Sequence, residues 1–593
     1  MRLTEEIRRS NRGLPENFRR SYISTVADTY RKLADLLLSE GRVLEAQQVL
    51  ELLKIEELRG YNRDQRAIGR DIRITSLDAE QFLINKYGSL SKAIQRIDEC
   101  RLNNCSESEI KILIQKFNDL DNEFKSGIAT LKELVLIRDC NAPDNPENEQ
   151  TTDATIGTLD ITTNLENDGS ADPITANAAN ALICEGGNPF LNPEDLSLEA
   201  KKILDQQPNT LLIYPFVVGD RVWLLWAGKD KKLVGREEIE ISRQELATSV
   251  VNLRDFLATP DSNKLDSLKA EAAGLYRVLI APIEQALGDD LAGIEHLVFA
   301  LDEFLRYVPM SVLYDEETEQ YLIEKDYTVT TILSAAMTDA APQFSPEQAN
   351  VLAAGVVSAE DSELPALKYV EDEINRIVLE EDSETISNDE EGIYPGQVFL
   401  NDQVTFENIQ NSLFFNNYIN VLHIATHGEF VPTNQGESYL LMGDGTELST
   451  PKITDLGNAV DNIHLVVLSA CETGLGGSAD NGIEIAGINA HFLQGGAKAV
   501  LGTLWRVSDS STSAFMQQFY ANTTADDISK AEALRQAQLC FLNGDNACRT
   551  VFTGPRTGTE IRLRPGAESA GSGPALRTHP YYWAPFVLTG NGR

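Results

Sequence analysis

Two segments end an apolar run in a side chain able to do chemistry. Val421-Leu-His-Ile-Ala-Thr leads into His427-Gly428, and Leu465-Val-Val-Leu-Ser-Ala leads into Cys471-Glu-Thr-Gly474, 44 residues further on. A thiolate is the nucleophile of a cysteine, and imidazole is the side chain tuned to take its proton near neutrality. The oxyanion formed on attack needs preorganised donors, which the backbone N–H groups of Gly428 and Cys471 can supply because small residues flank them. Taken singly, a histidine at a strand end or a buried cysteine is ordinary core. As an ordered pair they make a nucleophile, a base and an oxyanion site. His423 competes for the base role and suggests a His-x-x-x-His zinc pair, but the glycine follows His427 and no third ligand is evident. His423 is read as a core histidine, and no metal is expected.

Each motif reads as a buried strand, and in open α/β sheets ligands gather at the carboxyl ends of strands. The two side chains converge if those strands are neighbours. From Leu196 onward, β-rich runs (Leu211 to Val218, Val222 to Ala227, Leu297 to Leu301, Tyr327 to Ile332) alternate with helical patterns (Leu265 to Leu287, Leu367 to Leu379). Such alternation predicts an α/β fold, a mostly parallel sheet flanked by helices. The acidic run Glu380 to Glu391 reads as a solvated loop.

Upstream the chain is all-α. Ala27, Tyr30, Leu33, Ala34 and Leu37 recur at helical steps, break at Gly41-Arg42 and resume with Ala46, Val49, Leu50 and Leu53. This predicts a helix hairpin spaced like one tetratricopeptide repeat, without a second copy. A second block, Ile110 to Leu131, carries a heptad-like stripe opened by a Ser106/Glu109 capping box, read as an antiparallel partner of a helix around Leu83 to Ile97. Residues 139–195 are rich in Asn, Asp, Thr, Pro and Gly and poor in large apolar side chains, the composition of an acidic polar linker.

A formal charge of −40 excludes nucleic acid as a natural partner and favours basic polypeptides. The most apolar long window, Thr210 to Gly228, holds Asp220 and Arg221, so no membrane span is expected. The opening residues lack a secretory apolar core, and an intracellular, cytoplasmic protein is expected. Seven cysteines, an odd and sparse set, argue for reduced thiols, and Cys100 and Cys105 lack a second pair for zinc. No Gly-x-x-x-x-Gly-Lys-Ser/Thr segment is present, so a nucleotide switch is set aside and no cofactor is expected.

From roughly Leu196 to Gly592 the sequence resembles the CHAT family of caspase-like peptidases, related to separases and often joined to tetratricopeptide repeats. The resemblance rests on His427-Gly428, Ser469-Ala-Cys471-Glu-Thr-Gly474, Gly487 to Phe492, Leu504-Trp505-Arg-Val-Ser-Asp509 and His579-Pro-Tyr-Tyr-Trp-Ala-Pro-Phe-Val-Leu-Thr-Gly590. It implies a caspase-like sheet with a degenerate half (196–395) and a catalytic half (396–593), behind a helical region (1–138) and the linker (139–195). His296 to Leu313, a strand with a Pro-Met-Ser-Val-Leu turn into a helix but no cysteine, looks like the inactive half.

The implied activity is that of a cysteine endopeptidase with a Cys471–His427 dyad, acting on protein or peptide substrates. By similarity to separases, Asp509 would meet a basic residue before the scissile bond, with Trp505 as a pocket wall; alternatively Asp509 caps the helix beginning near Ser510. The Arg-bearing stretch 548–578 is an insertion, a lid or an autocleavage site. A regulatory protein bound to the N-terminal helices would gate the activity. The rival reading is a silent scaffold that keeps the fold for protein binding.

Overall fold

The computed structural model describes residues 16–61, scattered positions within 96–122, and most of 196–593. Not described within the last range are 341–342, 360–361, 363, 381–391, 430–438, 472–482, 526, 545–547, 550, 556–559 and 563–576. The expected linker lies outside the described residues, and of the heptad-like block only positions between 111 and 122 are described, where they are helical.

The N-terminal hairpin is present: α1 (Glu16–Ser39) and α2 (Val43–Tyr61) are joined at Gly41, whose φ of 71° is the left-handed conformation that glycine adopts at no steric cost. A short helix α3 (Leu198–Gln206), capped by the Ser197 hydroxyl, leads into β1 (Thr210–Val218). Next come β2 (Arg221–Ala227), β3 (Val234–Glu240), α4 (Arg243–Leu257), α5 (Leu265–Leu279), α6 (Ala281–Leu287), β4 (His296–Phe299) and β5 (Thr328–Thr331). The second part holds β6 (Val351–Gly355), α7 (Val370–Ile377), β7 (Val378–Glu380), β8 (Tyr394–Leu400), α8 (Phe406–Phe415) and β9 (Val421–Glu429). It continues with β10 (Tyr439–Leu441), β11 (Glu447–Ser449), β12 (Leu465–Cys471), α9 (Ile483–Gly495), β13 (Ala499–Thr503), α10 (Asp509–Asn522), α11 (Lys530–Asn543) and β14 (Phe586–Gly590).

These strands form one 14-stranded sheet in the order β3-β2-β1-β4-β5-β14-β13-β12-β9-β6-β8-β7, with β10 and β11 extending from β9. The expected mostly parallel sheet flanked by helices is what the chain forms. Within it, β13 and β14 pair antiparallel while β14 and β5 run parallel, so the two halves point in opposite directions. The strand that flanks β9 on its other side, β6, starts at Val351.

Both faces of the sheet are covered, which is why its central strands read as continuous apolar runs rather than alternating ones. One face packs against α4, α5, α6, α7, α10 and α11. On the other, α8 and α9 cover β6, β9 and β12, while α1, α2 and α3 cover β1, β2 and β4. The hairpin is thus built into the sheet's core: Ala46, Val49, Leu50 and Leu53 are buried with Leu212, Tyr214 and Trp223. Each buried Leu or Val contributes about 1.5–3 kcal/mol to that docking.

Polar contacts fix the hairpin's register. Arg31 donates from both terminal nitrogens to Asp302, at 2.9 Å each, and Lys54 Nζ donates to the Leu301 carbonyl at 2.9 Å. Glu51, fully buried, accepts from the Tyr214 hydroxyl and the Ala335 N–H, both at 2.8 Å.

Two expectations are corrected. After β4 the chain makes 3-10 turns at Glu303–Tyr307 and Met310–Val312 in place of the expected helix, because Pro309 supplies no N–H and interrupts the run. Cys540 and Cys548 are disulfide-bonded rather than reduced. Gly544 ends α11 with φ 81° and turns the chain back, bringing the two Cα atoms to 4.6 Å, within bridging range.

Candidate active site

Strands β9 and β12 are parallel neighbours in unbroken register from Val421↔Leu465 to His427↔Cys471. The apolar residues before each motif explain this: Leu422, Ile424, Val466 and Leu468 are buried on the α8/α9 face, and a slip of one residue would turn them to the other face. Position 471 therefore lies directly beside position 427 at the carboxyl ends of both strands, one interstrand spacing of about 4.8 Å away. Gly428, the next residue, pairs with Leu440 of β10.

His427 is almost fully buried, and its Nε2 lies 2.8 Å from the Pro365 carbonyl oxygen. A carbonyl only accepts, so Nε2 carries the hydrogen and donates it. Nδ1 is left with its lone pair, and it has no hydrogen-bond partner among the described residues. Pro365 sits on the segment between β6 and α7, closed at its base by a Leu367 N–H to Val357 carbonyl bond of 2.8 Å. The segment stays close because Gly355, the last residue of β6, lets α7 pack tightly. A Cβ there would lie 2.7 Å from Val370 Cγ1 and would also meet Ile374.

His423 is completely buried behind His427, as expected of a core histidine. Its Nε2 is 2.9 Å from Glu373 Oε1 on α7, and its Nδ1 is 3.2 Å from the Tyr520 hydroxyl on α10. The Glu373 contact is close, although its angle makes it no hydrogen bond for either atom. Burial, and then the Glu373 charge, push the Tyr520 hydroxyl well above its usual pKa, so it stays protonated. No group of three or more metal-ligating side chains occurs among the described residues.

Asp509 is the first residue of α10 and half-buried. It is neither free nor capping its own helix, whose N-cap is Ser508. Its Oδ2 accepts the Tyr369 N–H at 2.8 Å, and the carboxylate also takes the Lys368 N–H. Burial raises its pKa above the usual aspartate value and the Tyr369 N–H opposes that rise, with Glu373 and His427 both within electrostatic reach. Trp505 is buried and donates Nε1–H to the Tyr581 carbonyl at 3.1 Å.

Sequence reasoning thus brought His427 and Cys471 to one sheet edge but missed Pro365, Glu373 and Tyr520. A backbone carbonyl leaves no residue-type signal. A buried Glu in a helical stripe leaves one, an acid where an apolar residue is due.

A two-sided α/β sheet with histidine and cysteine in register at adjacent strand ends defines the class of the protein. The CHAT domain model matches residues 269–591, and the chain belongs to the CHAT domain family. Its fold is similar to that in two crystal structures of the Saccharomyces cerevisiae separase–securin complex. One has 12% identity and a TM-score of 0.38, covering 66% of this chain and 30% of that one; the other has 10% and 0.38, covering 70% and 32%. The complex of the Porphyromonas gingivalis RgpB pro- and mature domains has 10% identity and a TM-score of 0.31, covering 59% and 76%. The chain spans about a third of the separase chains it is similar to. No curated protein matches it. No described helix is long and apolar enough to cross a membrane.

Proposed function

We propose that this chain is a cysteine endopeptidase with Cys471 as nucleophile and His427 as general base. The observation that carries this reading is the His427↔Cys471 register together with an unpartnered Nδ1. In-register residues of adjacent parallel strands share a face of the sheet. In the reaction, Nδ1 takes the thiol proton and the thiolate attacks the peptide carbonyl carbon. The N–H groups of Gly428 and Cys471 steady the oxyanion, and the imidazolium returns its proton to the leaving amine. Water then hydrolyses the thioester by the reverse relay. The Pro365 carbonyl holds the ring in the tautomer this needs.

The substrate is a protein or peptide with Lys or Arg before the cleaved bond. The Asp509 carboxylate, within electrostatic reach of His427, and the charge of −40 favour a cation there, and Trp505 would wall the pocket. A regulatory protein would act through the outer surface of the helix hairpin, since its apolar face is already covered.

The test is cleavage of a peptide library by wild type, Cys471→Ala and His427→Ala. Cleavage after basic residues, abolished in both variants, is expected. A wild type that cleaves nothing and leaves a thiol-reactive peptide probe unbound would return the chain to the scaffold reading.

A further inference from the structure

Asp509 ties down the segment whose carbonyl touches the base. Its carboxylate, at the start of α10, reaches to the Tyr369 and Lys368 N–H groups where that segment enters α7. Four residues before Tyr369, the Pro365 carbonyl accepts from His427 Nε2. Nearby, the Leu367 N–H donates to the Val357 carbonyl, which closes the loop on itself without fixing it to α10. The Asp509 carboxylate makes no bond to the N–H groups of its own helix, where Ser508 is the N-cap and spends its hydroxyl on Ser511 at 2.9 Å.

We propose that Asp509 is a positioning residue: by holding Tyr369 it sets the Pro365 carbonyl, and through it the His427 tautomer that leaves Nδ1 free for Cys471. This rests on the dyad reading above and adds a role that needs no substrate. The chain of contacts is short, from carboxylate to two backbone N–H groups, along four residues to a carbonyl, and from there to the ring. Without the carboxylate, the half-buried Tyr369 N–H loses its acceptor and the segment relaxes toward water to satisfy it. The ring then loses its reason to prefer Nε2–H, and the neutral tautomer protonated at Nδ1 cannot accept from the thiol. The other charged group facing Asp509 is Glu373 of α7, which pairs with His423 of β9 and neighbours Tyr520 of α10.

The experiment uses the free, full chain with no substrate, where a pocket for basic side chains has nothing to bind. Alkylation of Cys471 by iodoacetamide is followed by mass spectrometry from pH 5 to 9 in wild type, D509A, D509N and H427A. D509N keeps an oxygen able to accept the Tyr369 N–H but has no charge. The expected result is that D509A slows alkylation near pH 7 about tenfold, the effect of losing one charge-assisted hydrogen bond, and moves its rise to higher pH. D509N is expected within about twofold of wild type, rescue by the conservative variant.

Nitrogen-15 shifts of His427, assigned among six histidines by comparison with H427A, give a second readout. They should show Nε2–H in wild type and D509N and a mixture in D509A. D509A matching wild type in both readouts, or D509N as impaired as D509A, overturns the proposal. If H427A itself leaves alkylation unchanged, the dyad reading fails and the positioning role falls with it. If H427A slows alkylation while both Asp509 variants match wild type, the dyad reading stands and only the positioning role is removed.

Discussion

Replacing Arg31 by Met removes the cation that pairs with Asp302, and the structure gives the size of the loss. Asp302 is 2% exposed and Arg31 17%, and the pair is bidentate at 2.9 Å. Burial alone would raise the Asp302 pKa, but the Arg31 guanidinium outweighs it and holds the carboxyl well below the usual aspartate range. Breaking a buried pair by removing one partner costs about 3–5 kcal/mol. Arg31 is partly wet, Lys54 and Arg306 also act on Asp302, and the Val217 N–H still donates to it at 3.1 Å, so the lower end applies.

About 3 kcal/mol is roughly a 100-fold change in the opening equilibrium of the hairpin, read as faster amide exchange in α1 between residues 26 and 39. The pH dependence has a definite sign. A depressed carboxyl contributes stability that is present above its unfolded pKa of about 3.9 and lost as pH falls through the folded value. The gap between wild type and Arg31→Met should therefore be widest near pH 7 and narrow on acidification below about 4. Equal exchange in both proteins, or a gap that widens with acid, would refute the view that this pair docks the hairpin.

Two other perturbations test the packing around the site. Gly355→Ala puts a Cβ against Val370 and Ile374 of α7 and should cost about 1–3 kcal/mol in thermal unfolding; a change under about 0.5 kcal/mol would mean that α7 is free to move away. His491 of α9, 2% exposed, has its pKa pushed down to about 4 by burial, so below pH 6.5 the unfolded chain takes a proton that the folded chain refuses. Between pH 7 and 5 wild type should lose about 2 kcal/mol more stability than His491→Gln in urea titrations, and parallel losses would contradict it.

The elements were legible where local pattern decides. β1 and β2 are apolar runs bounded by turn residues, and the hairpin breaks at the glycine that needs a positive φ. The expected single helix 265–287 is two, because Pro282 cannot donate to the turn before it and the chain kinks at Ile280 while the apolar period runs on. Leu367 to Leu379 reads as one helix, yet it turns to strand at Val378, where a neighbouring strand supplies hydrogen bonds that no periodicity records.

The opposed direction of the two halves was not legible, since it depends on β14 pairing with β5 across 257 residues. At the site, His427 and Cys471 announce themselves as reactive side chains ending apolar strands. The Pro365 carbonyl that orients the base, and the Asp509 oxygen that turned away from its own helix, are long-range backbone contacts and leave no mark in residue type.

A crystal structure of the chain tests the central claim most directly. The account expects Cys471 Sγ within hydrogen-bond reach of His427 Nδ1, with Nε2 still on the Pro365 carbonyl. A sulfur on the opposite face of the sheet from the imidazole, or a strand slipped so that another residue stands beside His427, would contradict it.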